Sequence, residues 1–331
     1  MAKKQQTEEK FKTMIGGQAL IEGIMMRGPK LDAIVTRGKD GLNVETKERK
    51  VRPKKSILTW PLIRGAVNFF DAQVTGVKAL MRSADLAPEE TQEEASKFDQ
   101  WLEKKLGEKR FQQYLVAFAV VLGLGMSVLL FFLVPMIIGS LFSAWITSTL
   151  AQNLLEGVIR ILIFVGYMFL VSRMKEMRRV FAYHGAEHKA IRCYEAGLEL
   201  TVENVRKQTR MHPRCGTSFL LVVMILSILI FSAASSLLLT VAPALAEISG
   251  TFVFRLIMIA YKLLLLPIVV AFSYEINRLI GKHDNAFTKV MTAPGMWFQN
   301  FTTCEPDDDM IEVAVTALTA VLPEQEGEDQ W

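Results

Sequence analysis

The chain has 331 residues, of which 51% are hydrophobic and 22% charged, with a formal net charge of only +4. Its apolar residues are gathered into long blocks with the charges between them, which excludes an ordinary soluble globule and gives no electrostatic basis for nucleic-acid binding. Three cysteines without a paired spacing supply no disulfide framework, as in a reducing compartment.

In chain order, residues 1–12 read as a polar, solvated tail with no signal peptide. Residues 14–29, MIGGQALIEGIMMRGP, mix apolar pairs with glycines and carry Glu22 and Arg27. The next stretch, AIVTR-GKDG-LNVETKE, has two β-prone runs around a turn bounded by Gly38 and Gly41, which predicts a β-hairpin. A basic stretch follows, Lys47, Arg49, Lys50, Arg52, Lys54 and Lys55.

From Trp60 the period becomes helical. Ile63, Ala66, Val67, Phe70, Val74, Val77 and Met81 share a face, so the helix is expected on a membrane surface or packed against the spans. Residues 88–110 are charged, acidic then basic, and read as an exposed helix or linker.

Four stretches are long and apolar enough to cross a bilayer: 114–139, 154–172, 218–241 and 252–274. Arg160, Arg255 and Lys262 fall within them. Arg255 lies near an end and can snorkel, whereas Lys262 is deeper. Residues 140–153 and 242–250 contain no Lys or Arg, while 173–217 contain ten. The positive-inside rule therefore puts both termini and the 173–217 loop in the cytoplasm, in a bacterial plasma membrane. Near the end of the chain, Asp307, Asp308 and Asp309 precede Ile311, Ala314, Val315, Leu318 and Leu322 at helical spacing, so the acids read as helix-start residues. The final PEQEGEDQW is expected to fray.

The fold class is thus mainly α: a polytopic membrane protein with about four transmembrane helices and a cytoplasmic portion holding a small β-hairpin. The expected segments are 1–57 with the hairpin, 58–113 with amphipathic and charged helices, 114–172 with the first two spans, 173–217 as a His/Cys loop, 218–275 with two more spans, and 276–331 with a cytoplasmic helix.

Chemistry concentrates in residues 183–219, which hold three of the four histidines and two of the three cysteines. His184-Gly-Ala-Glu187-His188 is an H-x-x-E-H pattern. Histidines four apart lie on one helix face and reach one ion, and the glutamate acts as base toward water in zinc peptidases of this inverted form. If the helix runs to Gly197, a glycine stop, Glu195 returns to nearly the same face and Cys193 falls opposite. The third ligand is then His212, Cys215 or Glu195. Two histidines with a cysteine leave a coordination position open, whereas three histidines with a cysteine close it. The bland alternative is histidines that cap helices or meet lipid phosphates.

GGQALIEGIMMRGP, the whole 183–219 block and TTCEPDDDMIEVAVTAL together resemble the bacterial YqhQ-like membrane proteins, a family of unknown function described as predicted metal-dependent enzymes. The resemblance covers almost the whole chain and points to His184, Glu187, His188, His212 and Cys215. The leading expectation is a divalent-metal hydrolase, with zinc as cofactor, at the cytoplasmic membrane face, acting on a membrane protein, peptide or lipid-derived substrate. The alternatives are a non-catalytic factor binding other membrane proteins and, on Lys262 and Arg160, a transporter.

Overall fold

The computed structural model describes residues 10–49, 53, 56–86, 107–142, 144–146, 148–283, 285–325 and 327–329. Lys50, Arg52, Lys54 and Lys55 of the basic stretch, and residues 88–106 of the charged linker, lie outside them. The chain divides into two compact units, one of Met1–Pro88, Met168–Val223 and Pro267–Trp331, the other of Glu89–Tyr167 and Met224–Leu266.

The first unit is built on a four-stranded antiparallel meander, β1 (Gly16–Leu20), β2 (Gly23–Arg27), β3 (Leu31–Gly38) and β4 (Gly41–Glu48), in that spatial order. The expected hairpin is its second half, closed at Gly38 and Gly41. The sheet is larger than expected because the glycine-rich 14–29 segment also folds back on itself, pairing Leu20 with Gly23 across a two-residue turn. Glu22 in that turn has φ of 50°, the left-handed region.

Alternation of side chains gives β2 two different buried faces. Ile24 and Met26 join Ala33 and Val35 in the main core, against Tyr183, Ala186 and Ala190 of α5 (Lys175–Glu195) and Ile311, Ala314 and Leu318 of α11 (Asp308–Thr319). Met25 on the other face packs with Leu20 and Ala79 of α1 (Ile63–Leu86). Sheet, central helix and late helix thus share one core, as expected of segments too small to bury one alone.

The packed face of α1 consists of small residues. Gly65, Gly76, Ala79 and Ser83 are buried, while Phe70, Val74, Val77 and Met81 are exposed. A Cβ at Gly76 would lie 2.3 Å from Gln18 Oε1, and one at Gly65 2.9 Å from the Ala271 carbonyl oxygen. Close approach, not the apolar stripe, seats this helix.

Asp307 caps α11 by accepting from Met310 N at 2.9 Å, so the acids do act as helix-start residues. The chain end is held rather than frayed at Asp329, which is buried and accepts from Thr13 Oγ1 at 2.5 Å through its carboxylate.

Among the described residues, four helices are long and apolar enough to cross a membrane: Ala117–Leu141, Leu150–Val171, Phe219–Val241 and Phe252–Lys282. In full, the helical elements here are α2 (Glu108–Val128), a π turn (Leu129–Leu133), α3 (Val134–Leu141), α4 (Thr149–Val171), α7 (Gly216–Val241), the short α8 (Ala244–Glu247) and α9 (Phe252–Lys282). In the second unit, buried Arg160 of α4 donates through Nε to the Phe131 carbonyl in the π turn at 2.8 Å. Its guanidinium also lies over the Phe132 ring, 5.1 Å from the centroid. The π turn alters the local carbonyl pattern, and the cation is satisfied by that carbonyl and a ring face. This charge therefore has a structural account. Lys262 pairs with Glu156 at 2.7 Å.

Candidate metal centre

The site lies in the first unit, on the α5 face turned from the apolar core. As the sequence predicts, α5 carries His184, Glu187 and His188 on neighbouring turns and stops at Gly197, whose φ is 63°. Leu198 N donates to the Cys193 carbonyl there, closing the helix end. Cys193 points into the core and is fully buried.

Both imidazoles are oriented by backbone carbonyls. His184 Nδ1 donates to the Thr302 carbonyl at 2.8 Å, where α10 (Ala286–Thr302) ends. His188 Nδ1 donates to the Arg210 carbonyl at 2.6 Å, in the loop after α6 (Val202–Lys207). With each Nδ1 donating to a carbonyl, it is the neutral form of each ring that presents an Nε2 lone pair, the tautomer a metal ligand needs. His184 Nε2 lies 3.2 Å from Cys215 Sγ. One ligand atom from each of His184, His188 and Cys215 falls within 4.8 Å of the others. Donors of a tetrahedral zinc site stand roughly 3.3–3.6 Å apart, from Zn–N of about 2.0–2.1 Å and Zn–S of about 2.3 Å, so a small rotation closes the set.

Two buried atoms here have no hydrogen-bond partner: His188 Nε2 and Glu187 Oε2. Unsatisfied buried polar atoms are costly and uncommon, and a pair of them beside a thiol is a donor set that could serve a cation. The other oxygen, Glu187 Oε1, accepts from the Gly17 amide of edge strand β1 at 2.9 Å. A Cβ at Gly17 would stand 3.0 Å from Glu187 Cδ and 2.7 Å from the Met25 carbonyl oxygen, so glycine allows this approach.

The electrostatics of this cluster depart from those of isolated side chains. Burial by itself raises the Cys215 thiol, but charge on His188 and His184 outweighs it and holds the thiol well below its ordinary value. The Thr217 amide, in the first turn of α7, also donates to Sγ at 3.4 Å, the favourable end of the helix dipole for a thiolate. Burial lowers the His184 pKa, yet the adjacent Cys215 sulfur carries it up to about 9. Burial raises the Glu187 carboxyl, and neighbouring His184 and His188 only partly offset this. A buried carboxyl whose pKa is raised is a better proton acceptor than an ordinary carboxylate.

His212 and Glu195 are drawn elsewhere. Glu195 is fully buried and accepts from His212 Nε2 at 3.1 Å, from Arg214 Nη2 at 2.5 Å, and from Thr13 N at 2.9 Å. Burial opposes ionisation of Glu195, but His212 and Arg214 bring its pKa below the ordinary value. Gln299 grips the His212 backbone from both sides, accepting from its amide at 2.8 Å and donating to its carbonyl at 2.7 Å. The His212 ring stacks 5.6 Å from His188, behind the ligand set.

Several residues that hold the site gave no motif signal. Gln299 is a fully buried amide on the packed face of α10, and a lone glutamine among apolar residues was the available clue. Arg210 donates to the Thr303 carbonyl and to Thr303 Oγ1, tying the two carbonyl-bearing segments together. Gly185 is essential to the same arrangement, because a Cβ there would stand 2.1 Å from the Cys304 carbonyl oxygen.

Residues 60–324 match the family described as "Protein of unknown function (DUF1385)". The chain is also 32% identical, over 324 residues, to "Uncharacterized protein YqhQ" of Bacillus subtilis (strain 168), covering 96% of this chain and 94% of that protein. The chain belongs to this family. No solved structure matches it.

Proposed function

We propose that this protein spans the bacterial plasma membrane four times with both termini in the cytoplasm, and that His184, His188 and Cys215 hold a divalent metal at the cytoplasmic face, beside Glu187 as general base of a hydrolase. The observation that carries the reading is the paired commitment of both Nδ1 atoms to backbone carbonyls, which leaves two Nε2 atoms beside Cys215 and next to an unpartnered carboxylate oxygen. Exposed apolar residues along the long helices, such as Phe118, Val121 and Leu264, support a bilayer around them. The ten basic residues of 173–217 support the orientation.

A thiolate with two imidazoles favours zinc over magnesium or calcium, and three protein ligands leave a position open, the pattern of catalytic sites. Zinc, when bound, acidifies water and polarises an acyl or phosphoryl oxygen. Glu187 takes a proton from water as its oxygen attacks the acyl carbon. It then returns that proton to the departing amine or alcohol as the scissile bond breaks. Gly17 N–H steers Glu187 through Oε1 and leaves Oε2 for the proton. The substrate class is an amide or ester of a membrane protein, peptide or lipid-derived molecule at the bilayer surface.

A second reading rests on the burial of the site. His188 is 1% and Glu187 5% exposed, which favours a metal that only pins the 183–217 loop in a non-catalytic assembly factor. Metal content of the detergent-purified protein, measured beside a His184→Ala/His188→Ala variant of confirmed fold, tests both. About one equivalent, lost in the variant, supports the centre. Glu187→Gln that keeps the metal and loses hydrolysis supports the enzyme, whereas full biological function in Glu187→Gln favours the assembly factor. No metal after reconstitution with zinc, manganese or iron refutes both.

A further inference from the structure

The second unit contains a cavity of about 640 Å³. Its wall includes Ser140 near the end of α3, Asn153 and Glu156 of α4, Ser235 of α7, and Arg255 and Lys262 of α9. This polar lining is unexpected in a helical unit whose outer surface is apolar. The metal-centre reading makes no use of it.

The charges in the cavity do not cancel. Glu156 is committed to Lys262 at 2.7 Å, and Lys262 also reaches Asn153 Oδ1 at 3.4 Å. Arg255 donates to the Ser140 hydroxyl at 3.3 Å and meets no carboxylate among the described residues. One positive charge is therefore left over on the cavity wall, at the partly exposed Arg255. A second, independent observation points the same way. Ser235 is 1% exposed, its hydroxyl has no hydrogen-bond partner, and it lines the cavity. An unsatisfied buried hydroxyl and an uncompensated guanidinium facing one space are the groups an anion would complete.

We propose that this cavity is an anion site for a phosphate group, with Arg255 as its principal ligand and Ser235 as a hydroxyl partner. The Lys262–Glu156 pair sets the adjoining wall: Glu156 holds Lys262 in place and limits the site to one net positive charge, which suits a phosphodiester. Guanidinium geometry matches two phosphate oxygens at once. The cavity is of a size that takes a small polar headgroup. Ser140 and Arg255 lie at the ends of α3 and α9 that adjoin the loops free of Lys and Arg. On the membrane reading given above, on which this inference rests, that end is extracytoplasmic and lies at headgroup depth. The phosphate is then that of a phospholipid in the outer leaflet or of a soluble phosphate ester.

The test uses the full chain in detergent, titrated with dihexanoylphosphatidylglycerol, glycerol 1-phosphate or dihexanoylglycerol, with binding read by native mass spectrometry. Arg255→Gln is expected to weaken the phospholipid at least tenfold, and Ser235→Ala several-fold, with melting temperatures unchanged. Arg255→Lys restores part of the binding. Binding of the phospholipid alone assigns a lipid headgroup, and binding of both phosphates assigns the phosphate group itself. Equal phospholipid binding by the parent and Arg255→Gln overturns the site, as does equal binding of the phosphate-free dihexanoylglycerol. Alkaline carbonate extraction of the membrane fraction tests the spans separately, so failure of the site is distinguishable from failure of the membrane reading.

Discussion

Glu195 and His188 lie on the same helix, yet the structure gives them opposite duties, and Glu195→Gln separates the two. The Glu195 carboxylate is fully buried and compensates Arg214, whose side chain is 9% exposed, while also accepting from His212 and the Thr13 amide. Breaking a buried ion pair at one partner costs about 3–5 kcal/mol, and the single oxygen kept by glutamine returns about 1 kcal/mol as a neutral hydrogen bond. The net loss is therefore about 2–4 kcal/mol. At about 2–4 °C per kcal/mol, the melting temperature falls by roughly 5–15 °C. Metal content is expected to be unchanged, because the proposed ligand atoms come from His184, His188 and Cys215. The assay is thermal unfolding by intrinsic fluorescence with metal analysis of the same sample. A Glu195→Gln protein that melts like the parent but loses its metal would refute the reasoning and return Glu195 to the ligand set.

Other changes give equally direct readings. Gly185→Ala puts a Cβ 2.1 Å from the Cys304 carbonyl oxygen, so the 302–304 segment must move. It is expected to cost about 1–3 kcal/mol and, by disturbing the Thr302 carbonyl that orients His184, to weaken metal binding about 10–100-fold. Parental metal affinity, measured by competition with a chelator, would argue against that orienting role. Gly17→Ala is expected to destabilise by about 1–3 kcal/mol, whereas Gly16→Ala, whose Cβ meets nothing within 4 Å, should melt like the parent. Equal melting of the two would show that the close approach to Glu187 carries no weight. The depressed pKa of Glu195 also predicts acid behaviour. Its contribution is present above the unfolded value of about 4.3 and is lost as pH falls through the lower folded value. Stability against pH should therefore be flatter on the acid side in Glu195→Gln. Parallel acid limbs would refute the assignment.

Much of this architecture was legible because it is local. An apolar run of sufficient length specifies a long apolar helix whatever surrounds it, and helices long and apolar enough to cross a bilayer occur at all four expected stretches. Histidines at 184 and 188 share a helix face by the 3.6-residue period alone, and Gly197 ends that helix through a conformation glycine enters freely. The Asp307 cap is likewise a matter of neighbours three residues apart.

What the sequence left open depended on long-range partners. The 14–29 segment has too little alternation to declare itself as two strands, and its pairing is decided by burial of β2 between α1 and α5. The apolar stripe on α1 left open whether it meets a membrane surface or packs inward, and close approaches at Gly65 and Gly76 turn the small-residue face inward and leave the stripe exposed. His212, Cys215 and Glu195 were equal candidates for the third ligand by spacing. Tertiary structure gives them different surroundings: Arg214 and Thr13 compensate Glu195, Glu195 takes His212, and the start of α7 carries Cys215 to His184. The orienting groups come from far along the chain: the Thr302 carbonyl is 118 residues from His184, and the Gly17 amide 170 residues from Glu187. Helical periodicity determined that two imidazoles face the same way; only the assembled fold decided what they face.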